Sequence, residues 1–83
     1  MKIVEAHQVP IGGISPDIFA LPCVVHAYKA DDGVDYICIL NTPENDFIDI
    51  KRATIFDWIY KTDDGKWHVS TNDEYQRIKY TEQ

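Results

Sequence analysis

The sequence predicts an α+β domain: a small antiparallel sheet of five or six strands, strongly curled or barrel-like, with a short N-terminal helical turn and a C-terminal helix. Three observations predict it. β-prone runs flank Asp32-Gly33, and two more flank the tip Thr62-Asp63-Asp64-Gly65. Thr71-Asn72-Asp73-Glu74 then has the form of a helix capping box. Finally, 83 residues that are 45% hydrophobic and 12% aromatic suffice for one packed domain, 1–83, and are too apolar for a disordered chain.

Residues 2–9 are expected to form the first strand. Ile3, Glu5, His7 and Val9 alternate with Val4, Ala6 and Gln8, and Pro10 with Gly12-Gly13 ends the run. Ser15-Pro16-Asp17 opens a helix, because serine accepts from orphan amides and proline at the first position gives up no useful donor. Pro22 stops it after one or two turns.

Residues 23–28 and 36–40 make the middle hairpin. A two-residue turn at Asp32-Gly33 sets Asp31 opposite Val34, Ala27 opposite Cys38 and Val25 opposite Leu40. Both faces then carry apolar side chains, which predicts a hairpin covered on both sides. A polar turn over residues 42–46 leads to a strand over residues 47–50, with Phe47 and Asp49 on one face and Ile48 and Ile50 on the other. Thr54 with Asp57 three residues on is compatible with a helix cap. The β-prone Trp58-Ile59-Tyr60 favours a strand from Asp57, folded across Gly65 onto residues 66–69. In the last helix Tyr75 and Ile78 share a face, with acids at its positive end and Arg77 and Lys79 toward its negative end.

Fourteen acidic against eight basic side chains give a net charge of −6, with the acids in doublets such as Asp31-Asp32, Asp63-Asp64 and Asp73-Glu74. That charge repels nucleic-acid backbones and acidic membranes, so neither is an expected partner. No apolar run approaches the ~18–20 residues needed to span a bilayer. The opening residues lack an apolar signal core, so the expected location is the cytoplasm (the host's, if phage-encoded), with both cysteines reduced.

The two ends of the chain carry a further pattern. Ile3-Val4-Glu5-Ala6-His7-Gln8 fits a strand of the type V-V-x-E-A-x-Q. Asp57-Trp58-Ile59-Tyr60-Lys61, Gly65-Lys66-Trp67, Asp73-Glu74-Tyr75 and Tyr80-Thr81-Glu82 fit a block of the type G-D-W-I-I-K, loop, G-[EK], aromatic strand, D-x-F and terminal Tyr-Glu. On these residues the chain resembles a group of small bacteriophage and prophage proteins; the middle of the chain has no counterpart in that group. The resemblance implies a phage or prophage origin and brings no catalytic residues with it. Three departures stand out: Phe56 where the group has glycine, Trp67-His68 for a Tyr-Pro pair, and Tyr75 for phenylalanine. The first challenges a glycine-dependent turn before Asp57.

Reactive constellations are sparse. Cys23-x-x-His26 has a metal-ligand spacing, but residues three apart on a strand point to opposite faces, so packing explains both better. In the expected register Cys38 faces Ala27 and Cys23 lies about four residues out of line, which disfavours a disulfide. Nothing positions His7, His26 or His68 as a base for a cysteine nucleophile. Asp57 beside Trp58 is a candidate for a raised pKa in an apolar pocket. Asp31-Asp32-Asp35 and Asp46-Asp49 are candidate calcium ligands that turn and capping chemistry explains equally well. The expectation is a protein that is not an enzyme and has no cofactor and no metal.

The leading functional reading is an accessory protein that binds a host or phage protein. Exposed Tyr28, Tyr36, Trp58, Tyr60 and Trp67 would be its anchors and the acidic doublets its rim. An alternative is a small-molecule binder that sequesters a nucleotide signal of a defence pathway, with aromatic rings stacking the base and Lys61, Lys66, Arg52 or Arg77 holding phosphates. A third is a minor virion component. Sheet edges also make homodimerisation an expectation.

Overall fold

The computed structural model describes residues 2–31, 33–41 and 48–82. Among them six strands and two helices follow in the order β1 (Ile3–Gln8), α1 (Pro16–Phe19), β2 (Val24–Ala30), β3 (Gly33–Asn41), β4 (Ile48–Ala53), β5 (Trp58–Thr62), β6 (Trp67–Ser70) and α2 (Asn72–Glu82). Every ladder is antiparallel, and the class is α+β as expected. The ladders form two three-stranded sheets, β1-β5-β6 and β2-β3-β4, and do not close into a barrel.

The core lies between these sheets. Tyr36 and Cys38 of β3, Ala53 of β4 and Ile59 of β5 meet there, almost wholly removed from water, with Val9 and Ile18 beside them. A smaller cluster of Ile3, Tyr60 and Tyr75 seats α2 on the first sheet.

The C-terminal elements form as the local sequence dictates. Gly65 takes φ 84°, the left-handed geometry expected at the hairpin tip, and its amide donates to the Thr62 carbonyl at 2.9 Å. The Thr71 hydroxyl accepts the Glu74 amide at 3.3 Å and so caps α2. Residues 54–57 form a turn, not a helix start. The Asp57 carboxylate accepts from the Thr54 amide at 3.0 Å and its hydroxyl at 3.1 Å, and β5 follows from Trp58. Phe56 holds φ 67° in this turn, so the left-handed geometry persists without glycine. Both backbone groups of Val9 clamp it, accepting from the Phe56 amide at 3.0 Å and donating to the Asp57 carbonyl at 2.9 Å.

Other expectations are corrected. Ser15 precedes α1, but its side chain makes no capping bond. Its carbonyl accepts the Phe19 amide at 2.9 Å, and its own amide donates to the Tyr36 hydroxyl at 2.8 Å. Strict alternation in β1 fails at an irregularity between Ile3 and Glu5, which brings Ile3 and Ala6 into the same cluster.

In the middle hairpin Ala30 pairs with Gly33 and Ala27 with Tyr36, so Gly33 belongs to the ladder and not to the expected Asp32-Gly33 turn. Gly33 instead begins β3 at φ 149°, a backbone conformation that side-chain-bearing residues rarely adopt, beside the Gly12 backbone. A second irregularity, between Val24 and His26, turns Val25 outward. The expected two-sided cover is also absent. Val34, Tyr36, Cys38 and Leu40 face the core, while Val25, Ile39 and Ile50 of the same sheet stay exposed because the other sheet packs against one face alone. β4 runs on to Ala53. Asp32, the turn at 42–46 and Phe47 lie outside the described residues.

Candidate functional site

The seven residues singled out from the sequence do not converge. Tyr36 is 1% exposed and Tyr60 is 6% exposed, so neither is a surface anchor. Each phenol also has a structural partner: Tyr36 holds the Ser15 amide, and Tyr60 lies 3.2 Å from the Ser70 hydroxyl. Trp58 stacks on Tyr75 with centroids 4.0 Å apart and planes at 8°, while its indole nitrogen donates to Asn72 at 2.9 Å. It therefore docks α2. Trp67 is half-buried against the main core. Of the five rings only Tyr28 stands clear of the interior.

Tyr28 lies on β2 beside a groove of about 660 Å³. The opposite wall is the loop Ile11-Gly12-Gly13-Ile14, which runs beside Gly33 at the start of β3. Ile11 is 68% exposed, Ile14 56% and Tyr28 37%. Isolated exposed isoleucines are ordinary, but two on a turn that line the same groove as Tyr28 make a patch. β2 is an edge strand: among the described residues it pairs with β3 alone. The groove thus combines apolar side chains with a sheet edge, the chemistry that captures an extended peptide.

Polar groups frame one side. Tyr28 is opposite Asp35, and Arg52 reaches Asp35 at 3.6 Å. The neighbouring Tyr28 phenol and the Asp35 charge hold the Arg52 guanidinium still more firmly protonated than usual. Further along the same outer face Ile39 and Ile50 are cross-strand partners, both exposed, with Val25 on the strand beyond β3.

The cations proposed for phosphates are dispersed. Lys66 lines a separate cleft of about 280 Å³ with Cys23, Asp64 and Trp67, and Arg52 a third of about 240 Å³ with Asp35 and Thr54. Lys61 is opposite Glu5 across the β1–β5 ladder, and Arg77 lies on α2. None of these three grooves joins two of the four. Of the acids weighed as calcium ligands, Asp35 turns toward Arg52 and Asp49 lies 3.5 Å from Lys51; Asp32 and Asp46 are outside the described residues. Cys23 is buried and His26 exposed, stacked loosely on Tyr28 at 6.3 Å, so the pair does not converge. Among the described residues no group of three or more His, Cys, Asp or Glu is arranged to hold a metal ion.

The groove was missed from the sequence because Gly12-Gly13 reads as a turn and nothing more. The available signal was the flanking pair Ile11 and Ile14, large apolar residues where a turn normally carries polar ones. No family model, curated protein or solved structure matches this chain. No helix among the described residues is long and apolar enough to cross a membrane.

Proposed function

We propose that this chain is a non-enzymatic accessory protein of phage or prophage origin that binds a host or phage protein through the groove between Ile11-Ile14 and Tyr28. The observation that carries the reading is the exposure of these three side chains around one apolar groove on an unpaired sheet edge. A partner that lays an extended segment along β2 gains main-chain hydrogen bonds from the edge and side-chain burial from the groove. At about 25 cal/mol per Å² of apolar area, burying three such side chains supplies several kcal/mol toward association. The net charge of −6 favours a partner that is basic around its apolar contact. In this reading the two sheets act as halves of one curled, barrel-like shell, supported by the single core they share and by the packing of β6 near β3 and β4.

The test is affinity capture from a lysate of the bacterial host with the wild-type chain, an Ile11→Ser/Tyr28→Ala variant and a Val4→Ser control. One stoichiometric partner retained by wild type and control but lost by the groove variant is the expected result. An empty capture, or a partner retained equally by all three, overturns the reading. A thermal upshift with a nucleotide panel favours the sequestering alternative in its place. A dimer in light scattering that the groove variant dissociates makes a second copy the occupant.

A further inference from the structure

The binding reading makes no use of the two cysteines. In the observed register Cys38 partners Val24, not Ala27, and the Ile39 amide donates to the Cys23 carbonyl at 2.9 Å. The residues that the sequence register holds apart are therefore neighbours across the β2–β3 ladder. Both thiols are free and buried. Both side chains belong to one buried cluster, packed with Val24, Tyr36 and Leu40.

The two sulfurs differ in access. Cys38 is 0% exposed, whereas Cys23 lines the cleft of about 280 Å³ whose far wall is the β5–β6 tip, with Asp64, Gly65, Lys66 and Trp67. Cys23 lines a cleft open to solvent, and Cys38 lines none of the three clefts. That asymmetry is the arrangement of an attacking and a resolving thiol.

We propose that Cys23 and Cys38 are a reversible dithiol–disulfide pair, in which Cys23 attacks a low-molecular-weight disulfide entering from the cleft and Cys38 resolves the adduct. In the first step the Cys23 thiolate bonds to one sulfur of the small disulfide, whose S–S bond breaks and releases one thiolate. That thiolate takes the proton of Cys38. In the second step the Cys38 thiolate bonds to the Cys23 sulfur and expels the other half as a second thiolate, which picks up a proton from water. The chain is oxidised by two electrons and the small disulfide is reduced to two thiols.

The electrostatics agree with these roles. The hydrogen bond from Cys38 lowers the Cys23 pKa against the opposing effect of burial. The same bond, burial and the Cys23 charge raise that of Cys38. Once Cys23 is capped its charge is gone, and two of the three influences holding the proton on Cys38 vanish with it.

The experiment treats the intact folded chain with oxidised glutathione and follows intact mass. The expected product is the wild-type chain lighter by two hydrogen atoms, without adduct, and restored by dithiothreitol. Cys38→Ser should stop as one glutathione adduct on Cys23. Cys23→Ser should react at least about tenfold more slowly than wild type while folded, and at the wild-type rate in urea. A wild-type chain that keeps both thiols, or collects an adduct on each, overturns the proposal, and so does an adduct formed faster on Cys38 than on Cys23. The wild-type arm decides the matter even where a serine variant does not fold. None of these readings depends on a binding partner.

Discussion

The two hairpins of this molecule treat the same kinds of side chain in opposite ways. The β5–β6 hairpin turns its rings inward and onto the helix that follows: Trp58 stacks on Tyr75, and Tyr60 packs against both Tyr75 and His68. The β2–β3 hairpin packs one face against the core and leaves Tyr28, Val25 and Ile39 on the other in water. Aromatic content alone therefore does not mark a binding face. In the C-terminal hairpin it anchors an 11-residue helix too short to be stable by itself; in the middle hairpin one ring remains available for a partner.

The largest effect should come from breaking the anchored half. Tyr75→Ala removes the stacked partner of Trp58 and opens a cavity under α2, at a cost of about 3–4 kcal/mol. Urea melting followed by tryptophan fluorescence checks it. A loss under about 1 kcal/mol would mean that α2 is not held by this stack.

The corresponding lesion in the middle hairpin is smaller and polar. Tyr36→Phe keeps the buried ring but leaves the Ser15 amide without its 2.8 Å partner, which should cost about 1–2 kcal/mol. Ser15 supplies no side-chain cap, so this bond is what ties the entrance of α1 to β3. Amide hydrogen exchange should show the loosening at residues 15–20 before it appears elsewhere.

The same contrast explains what could be read from the sequence. The tip at Gly65 and the cap at Thr71 were legible because each rests on contacts within four residues, where residue type nearly dictates geometry. The irregularities at Ile3/Glu5 and Val24/His26 depend on the partner strand, and no local pattern announces them. They decide which side chains face out, so five rings read as anchors from the sequence where the fold leaves Tyr28. The middle register differs for a related reason: Gly33 reads as half of a turn, but it sits in the ladder opposite Ala30 and uses its positive φ to begin β3. From the resemblance, Phe56 looked incompatible with a left-handed turn. The clamp from Val9 holds it there, though nothing near Phe56 in the chain reveals that clamp.

Phe56 also gives a prediction of opposite sign. A non-glycine residue at φ 67° carries about 1–2 kcal/mol of strain, and the extra freedom of unfolded glycine offsets about half. Phe56→Gly should therefore stabilise the chain by about 0.5–1 kcal/mol, because the ring is half exposed and its loss removes little packing. A destabilised variant would show that the ring packs more than its exposure suggests. Smaller still is the effect of Ile39→Thr with Ile50→Thr on the bare outer face: threonine keeps the strand preference, and stability should change by no more than about 0.5 kcal/mol.

The last prediction separates the hairpins by pH. His68 lies in the C-terminal hairpin, stacked on Tyr60 at 5.1 Å and 3.1 Å from the Thr62 hydroxyl. That hydroxyl donates to Asp64 at 2.5 Å, so it accepts from the imidazole Nε2–H. Burial lowers the His68 pKa below its usual 6.5, and the Asp64 charge only partly opposes this. As the pH falls through 6.5, the unfolded chain takes up a proton that the folded chain refuses, and unfolding gains ground until the pH passes the folded value. The contribution is thus intact above 6.5 and lost on acidification. Asp64 acts in a different window. The bonds from Thr62 and the Lys66 amide depress its pKa, so its contribution holds above 3.8 and fades only in stronger acid. Urea midpoints from about pH 7.5 down to about pH 5 should fall for wild type and fall less for His68→Gln, which keeps a donor for Thr62. Parallel curves for the two chains would place the acid-sensitive step outside the β5–β6 hairpin, and the difference between the two hairpins would then be one of packing alone.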